Sequence, residues 1–219
     1  SVSTTLVWFR RDLRLADNPA WSTACAEHTR VLPVYIHGED DGPWSPGAAS
    51  RWWLHHSLHA LDRDLRDAGG ALHLSRGEPL HALRQLIARS GASAVYWNRL
   101  YEPAAIERDV QIKSALREEG VGVHSQNAAL WFEPWQIATQ KGQPYKVFTP
   151  YWRNLRPRLQ PSKPLLAPHV PDGHALPNGL SLAALGLLPR VDWAGGLREN
   201  WRPGEAGARE LLEVFLDDA

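Results

Sequence analysis

The chain carries one cysteine, Cys25, in 219 residues. A single thiol excludes an internal disulfide and fits a reducing, cytoplasmic compartment. Inside a predicted helix it reads as a small buried apolar side chain rather than a nucleophile. Charge of one sign is equally lacking: 24 Lys and Arg balance 24 Asp and Glu. No global field therefore draws the chain to nucleic acid or anionic lipid, and any such attraction must be local. No basic-then-apolar leader and no long apolar run appear, so neither secretion nor a membrane span is expected. No G-x-G-x-x-G or P-loop follows the first predicted strand, which weakens ordinary dinucleotide or triphosphate binding. Tryptophan, by contrast, is abundant: 11 residues against 4 Phe and 5 Tyr. Indole rings fill cores and also stack on flat heterocycles.

Strand and helix patterns alternate through the first 127 residues. Strands are predicted at Thr4–Phe9, Arg30–Ile36, Ala71–Leu74, Ala94–Trp97 and Val121–Ser125, and helices at Asn18–His28, Gly47–Ala68, Glu78–Ser90 and Pro103–Glu119. Such alternation argues for a doubly wound, Rossmann-like α/β domain: five parallel strands in the order 3-2-1-4-5 with helices on both faces. Gly69-Gly70, Gly91 and Gly120 stand where helices should stop. On the long second helix, Leu54, Leu58, Leu61 and Leu65 form a core-facing stripe. Residues 128–203 are proline-rich and mostly irregular, a connector expected to run over a surface, with few contacts from 160–200. Short helices are predicted at Thr149–Leu159 and Gly204–Asp217.

The most informative stretch is Leu6 to Pro19, LVWFRRDLRLADNP. A short apolar strand runs into Arg10, Arg11, Asp12 and Arg14, and Asp17-Asn18-Pro19 opens a helix. Charged groups just past a first strand lie where open α/β sheets bind ligands. The string resembles the opening of the DNA photolyase/cryptochrome family. Two later runs match the same family: Tyr145–Trp152 (YKVFTPYW) and Trp201–Ala208 (WRPGEAGA).

The resemblance implies a photolyase's N-terminal antenna domain (1–127), its interdomain linker (128–203) and the first helix (204–219) of a truncated FAD-binding helical domain. The whole protein would be a deoxyribodipyrimidine photo-lyase, a light-driven lyase that splits cyclobutane pyrimidine dimers with reduced FAD. The fragment alone is then expected to be inactive. Its implied partners are its own C-terminal FAD-binding helical domain and, through that domain, damaged DNA; no membrane is implied. A cryptochrome-type blue-light photoreceptor and a free-standing nucleotide-binding module are the alternatives. The α/β domain of the family holds an antenna chromophore: folate, deazaflavin or a flavin nucleotide such as FMN. Ser50–Leu58 is similar to the photolyase branch nearest plant cryptochromes, which favours folate. Ala104-Ala105 and Leu100 depart from the enteric folate and the deazaflavin patterns respectively.

The expected antenna site gathers Arg11, His37, Trp52, Asn98 and Glu102 at the carboxyl ends of strands one, two and four. Trp52 projects opposite the leucine stripe, so its indole needs a cover: a chromophore ring, the helical domain, or a loop carrying Trp44. Asn98, Arg99 and Glu102 could hydrogen-bond a heterocycle edge, with helix capping by Glu102 before Pro103 as the plainer role. His55, His59 and Asp62 share one helix face at ligand spacing, but no further ligand accompanies them, and no metal is expected. The stretch from Lys141 to Lys163 is basic and aromatic, which suits either a DNA backbone or docking of the helical domain.

Overall fold

The computed structural model describes residues 2–38, 48–127, 168–171, 176–188 and Gly204. The expected helix at 149–159, all but Gly204 of the one at 204–217, the basic stretch 141–163 and Trp44 lie outside the described residues. Five strands and four helices alternate: β1 (Thr4–Phe9), α1 (Pro19–Glu27), β2 (Arg30–His37), α2 (Ala48–Asp67), β3 (His73–Arg76), α3 (Pro79–Ser90), β4 (Ala94–Asn98), α4 (Pro103–Glu118) and β5 (Gly122–Gln126). All strand pairings are parallel, in the order β3-β2-β1-β4-β5, as expected.

Alternation along β1 sorts the core into two layers. Leu6 and Trp8 join residues of α3 and α4, including Leu83, Leu86, Ile112 and Leu116. Val7 and Phe9 point the other way, to Trp21 of α1 and to Leu61 and Leu65 of α2. Every residue of β1 is buried, as a central parallel strand covered on both faces requires. Helix starts follow local chemistry. Asn18 caps α1 by accepting from the Trp21 amide at 3.0 Å, and Glu78 caps α3 by accepting from Leu80 and His81. Proline follows each cap at the first helical position, where its missing N–H costs nothing.

β3 begins two residues later than its apolar composition predicts. Residues 69–72 belong to the exit of α2: Gly70 donates to Leu65 O, and Leu72 N donates to the Asp62 carboxylate at 2.9 Å. Gly69 has φ +96°, which favours glycine, and it lies against the His169 ring, 2.7 Å from where a Cβ would sit.

That contact corrects the expectation of few contacts from 160–200. Val170 N donates to Ala68 O, Val31 N to Pro171 O, and Leu180 N to Leu74 O of the edge strand β3. Val170, Leu176, Leu185 and Leu187 are all buried in the domain's apolar clusters. Among the described residues of this proline-rich stretch, Val170, Leu176, Leu185 and Leu187 nonetheless complete the core. Gly204 also approaches α2, where a Cβ would meet Ala60 Cβ at 2.7 Å.

Leu187→Ala should therefore cost about 2–4 kcal/mol in urea unfolding, the range for a buried leucine; under about 0.5 kcal/mol would mean the segment only drapes. His73 lies beneath this strap, with burial and then Arg89 lowering its pKa from 6.5. A folded-state pKa below the unfolded one gives stability that is complete above about pH 6.5 and is lost as pH falls. His73→Gln should flatten that acid slope in denaturation midpoints taken from about pH 8 to about pH 5.

Candidate functional site

The crevice outside β1 and β4, where the chain order reverses, is the switch point at which open α/β sheets place ligands. Arg10 occupies its floor. The side chain is buried, and its guanidinium donates to both Asp109 oxygens of α4 at 2.7 and 2.6 Å and to the Asn98 carbonyl of β4. It also stands 4.8 Å over the Trp8 ring, a cation–π contact. Burial lowers its pKa, while the Asp109 carboxylate acts in the opposite sense.

A second layer of bonds seals the crevice. Asp12 accepts from the Arg10 amide at 3.0 Å and from the Asn98 side-chain amide. Asn98 Nδ2 donates also to Asn18 Oδ1 at 2.7 Å, and Asn98 Oδ1 accepts from the Ala20 amide at 3.1 Å. Asn18 Nδ2 donates back to Arg14 O at 2.9 Å. The polar run after β1 thus fastens β1, β4, the start of α1 and the flank of α4 together.

The five expected site residues fare differently. Asn98 is buried with both amide hydrogens and its oxygen engaged, so it shapes the crevice and offers nothing further to a ligand. Arg11 and Glu102 meet across the crevice mouth as an exposed ion pair, 73% and 49% accessible. The Glu102 carboxyl is held below its ordinary range chiefly by its own backbone amide, with Arg11 adding to the effect. Glu102 precedes Pro103 as the N-cap of α4 yet makes no side-chain cap bond, so the plain capping role is absent. His37 ends β2, half-buried, with its ring 6.3 Å from that of Tyr35.

Trp52 is covered, as expected: it is 1% exposed, with Trp53 edge-on at 5.4 Å and His56 against it at 4.4 Å. Its Nε1–H is buried without a hydrogen-bond partner. Of the leucine stripe, Leu58, Leu61 and Leu65 are fully buried while Leu54 is only partly so. Asp62, considered beside His55 and His59 as a ligand, instead accepts from Arg66 Nε and Leu72 N, both at 2.9 Å. Cys25 is half-buried, and burial pushes its thiol up to about 12, which removes thiolate reactivity. Asp109 escaped sequence reasoning altogether, because nothing local distinguishes it from any other helix-surface carboxylate.

Residues 5–171 match the profile of the family described as DNA photolyase. The chain belongs to the DNA photolyase family. It is 42% identical over 221 residues to a deoxyribodipyrimidine photo-lyase of Agrobacterium fabrum, across 98% of this chain and 45% of that protein. Cryptochrome-2 of Arabidopsis thaliana is 36% identical over 97% of this chain and 36% of that protein. Among solved structures, a bacterial class III photolyase from Agrobacterium tumefaciens superposes with TM-score 0.88 at 40% identity, covering 99% of this chain and 45% of that one. The chain therefore spans under half the length of these relatives. Among the described residues no helix is long and apolar enough to cross a membrane.

The geometry separates structural from available groups. Asn98→Ala should cost about 2–3 kcal/mol, because it strands buried partners on Asp12, Asn18 and Ala20. Arg11→Gln should cost under about 1 kcal/mol, as for an exposed pair. Guanidinium chloride titrations of the two variants check the ranking, and equal costs would contradict it.

Proposed function

We propose that this chain is the light-harvesting α/β part of a deoxyribodipyrimidine photo-lyase that repairs cyclobutane pyrimidine dimers. The observation that carries this reading is the co-linear match to a deoxyribodipyrimidine photo-lyase across 98% of the chain at 42% identity. In this reading FAD, the lesion and the bond-breaking electron transfer belong to a helical domain beyond the 219 residues. No side chain of the α/β part need act as acid, base or nucleophile. Its work is to hold an antenna chromophore at a fixed distance and orientation from the flavin.

The antenna would sit at the switch-point mouth. Arg11 and Glu102 are the accessible charged groups there, and His37 is a further ring at the end of β2. A folate suits them: its heterocycle can exchange hydrogen bonds with a carboxylate, and its acidic tail suits a guanidinium. Deazaflavin or FMN would use the same two groups. Asn98 acts by holding the floor, and Trp52 takes part only if His56 yields its place against the indole. A cryptochrome-type photoreceptor is the second reading, supported by 36% identity to Cryptochrome-2 over nearly the whole chain.

Titration of the chain with a reduced folate and with FMN, followed by tryptophan fluorescence, tests the placement. Arg11→Gln and Glu102→Gln should each weaken the bound chromophore about tenfold, the scale of one charge-assisted hydrogen bond. Tight binding indifferent to both would place the antenna elsewhere. Near-ultraviolet illumination with dimer-containing DNA should give no repair by this chain alone, and repair would refute the division of labour.

A further inference from the structure

The strap formed by residues 176–188 crosses the β3 edge of the sheet and is held unequally on its two sides. Leu176 is buried on the α3 face among Leu83 and Leu86, whereas Leu185 and Leu187 are buried on the α2 face with Tyr35, Leu58 and Leu74. Arg76, at the end of β3, fixes the second half by donating to Ala184 O at 3.1 Å and to Leu185 O at 3.0 Å. The first half is thinner. Leu176 is buried, but Pro177, Asn178, Gly179 and Leu180 are all exposed. This half is tied by Leu180 N donating to Leu74 O at 2.9 Å and by the Arg89 guanidinium donating to Pro177 O. Segments with few buried contacts and exposed backbone are the ones that open first.

Beneath the thinner half lies an ionisable ring. His73 is 5% exposed, and its Nδ1 is buried without a hydrogen-bond partner. Gly179 passes directly over it: a Cβ there would stand 3.0 Å from Nδ1 and 3.3 Å from Cε1. Neutral imidazole can leave Nδ1 bare, whereas imidazolium carries a proton on both nitrogens. A proton at Nδ1 would meet the Gly179 backbone with no partner, and an unsatisfied buried charge is costly. Arg89, which holds Pro177 O, also sets a positive charge near the ring. On β2 the register partner of His73 is the uncharged Val34, and the strap itself offers the Leu176 backbone and Gly179. Among the described residues, Arg89 is the charged group that acts on the ring. Burial and then Arg89 lower the His73 pKa, and the bond with the Leu176 backbone, the smallest of the three influences, raises it.

We propose that Leu176 to Leu180 form a proton-operated latch, closed over neutral His73 and lifted from the β3 edge when the ring takes up a proton. The sheet and the second half of the strap, anchored by Leu185, Leu187 and Arg76, stay in place. Released from its cover, the ring regains water and an ordinary pKa, so protonation favours the open form. The latch is therefore at full strength above about pH 6.5 and is lost as pH falls through the lower, latched value. One proton limits the response to about tenfold in the opening equilibrium per pH unit. The device needs no ligand and does not rest on the antenna reading.

Hydrogen exchange of the 219-residue chain from about pH 7.5 to about pH 5, corrected for intrinsic rates, reads the latch at the Leu180 amide. Its protection should fall at least about threefold across that range, while the amides of β1 and β4 keep theirs. An NMR titration of the same chain should find His73 protonating below its ordinary 6.5. His73→Gln, uncharged throughout, should make Leu180 protection independent of pH. If that variant does not fold, the two measurements on the unaltered chain still decide. Leu180 protection flat with pH, or falling in step with β1, would overturn the proposal. So would His73 titrating at or above 6.5, or a folded His73→Gln that keeps the pH dependence.

Discussion

A single buried cation organises this domain. Arg10 leaves the end of the central strand and is held by Asp109 from α4 and by the Asn98 carbonyl from the neighbouring strand. Withdrawing a guanidinium from water costs several kcal/mol, which only close, multiple partners offset. Here two carboxylate oxygens, a carbonyl and the Trp8 ring supply them. The consequence is geometric. α4 cannot drift from β1, and the crevice between β1 and β4 is fixed before any ligand arrives. Asp12, Asn18 and Asn98 repeat the principle one layer further out, tying the first turn of α1 to the same point.

With the floor spoken for, function falls to the rim. Arg11 differs from Arg10 by one position and by nearly all of its environment: one is exposed, the other buried. In the bend that follows β1, adjacent arginines thus divide into a structural and an accessible member. The same division recurs just past β4, where Asn98 is buried and bonded while Glu102 is exposed. The proposed antenna mouth at Arg11 and Glu102 is built from residues that these welds leave over.

The fold was legible because its signals are local. Apolar runs between cap and glycine signals place four of the five strands to within a residue or so, and the alternation implies their order. β3 shifted because its start depends on Asp62 and on the segment near Val170, neither of which lies within the strand. The connector was misjudged for a related reason: proline density reports irregular backbone, not whether Val170, Leu185 and Leu187 find a core. Trp52 is covered, as the expected need for a cover implies, but a helical wheel does not show that Trp53 and His56 pack against it. At the crevice, position after β4 pointed to Asn98 as a polar group at the carboxyl edge, but not to the hydrogen bonds that occupy it. Asp109 was invisible, since its importance comes wholly from a partner 99 residues away.

If Arg10 and Asp109 are the constraint on which the crevice depends, their effects on stability must be strongly coupled. The direct measurement is a double-mutant cycle of Arg10→Met and Asp109→Leu, with unfolding free energies from denaturant titration. Each single change leaves a buried charge alone and should cost about 3–5 kcal/mol, whereas the pair should cost much less than their sum, with a coupling of about 2 kcal/mol or more. Additive losses, with a coupling near zero, would contradict the account.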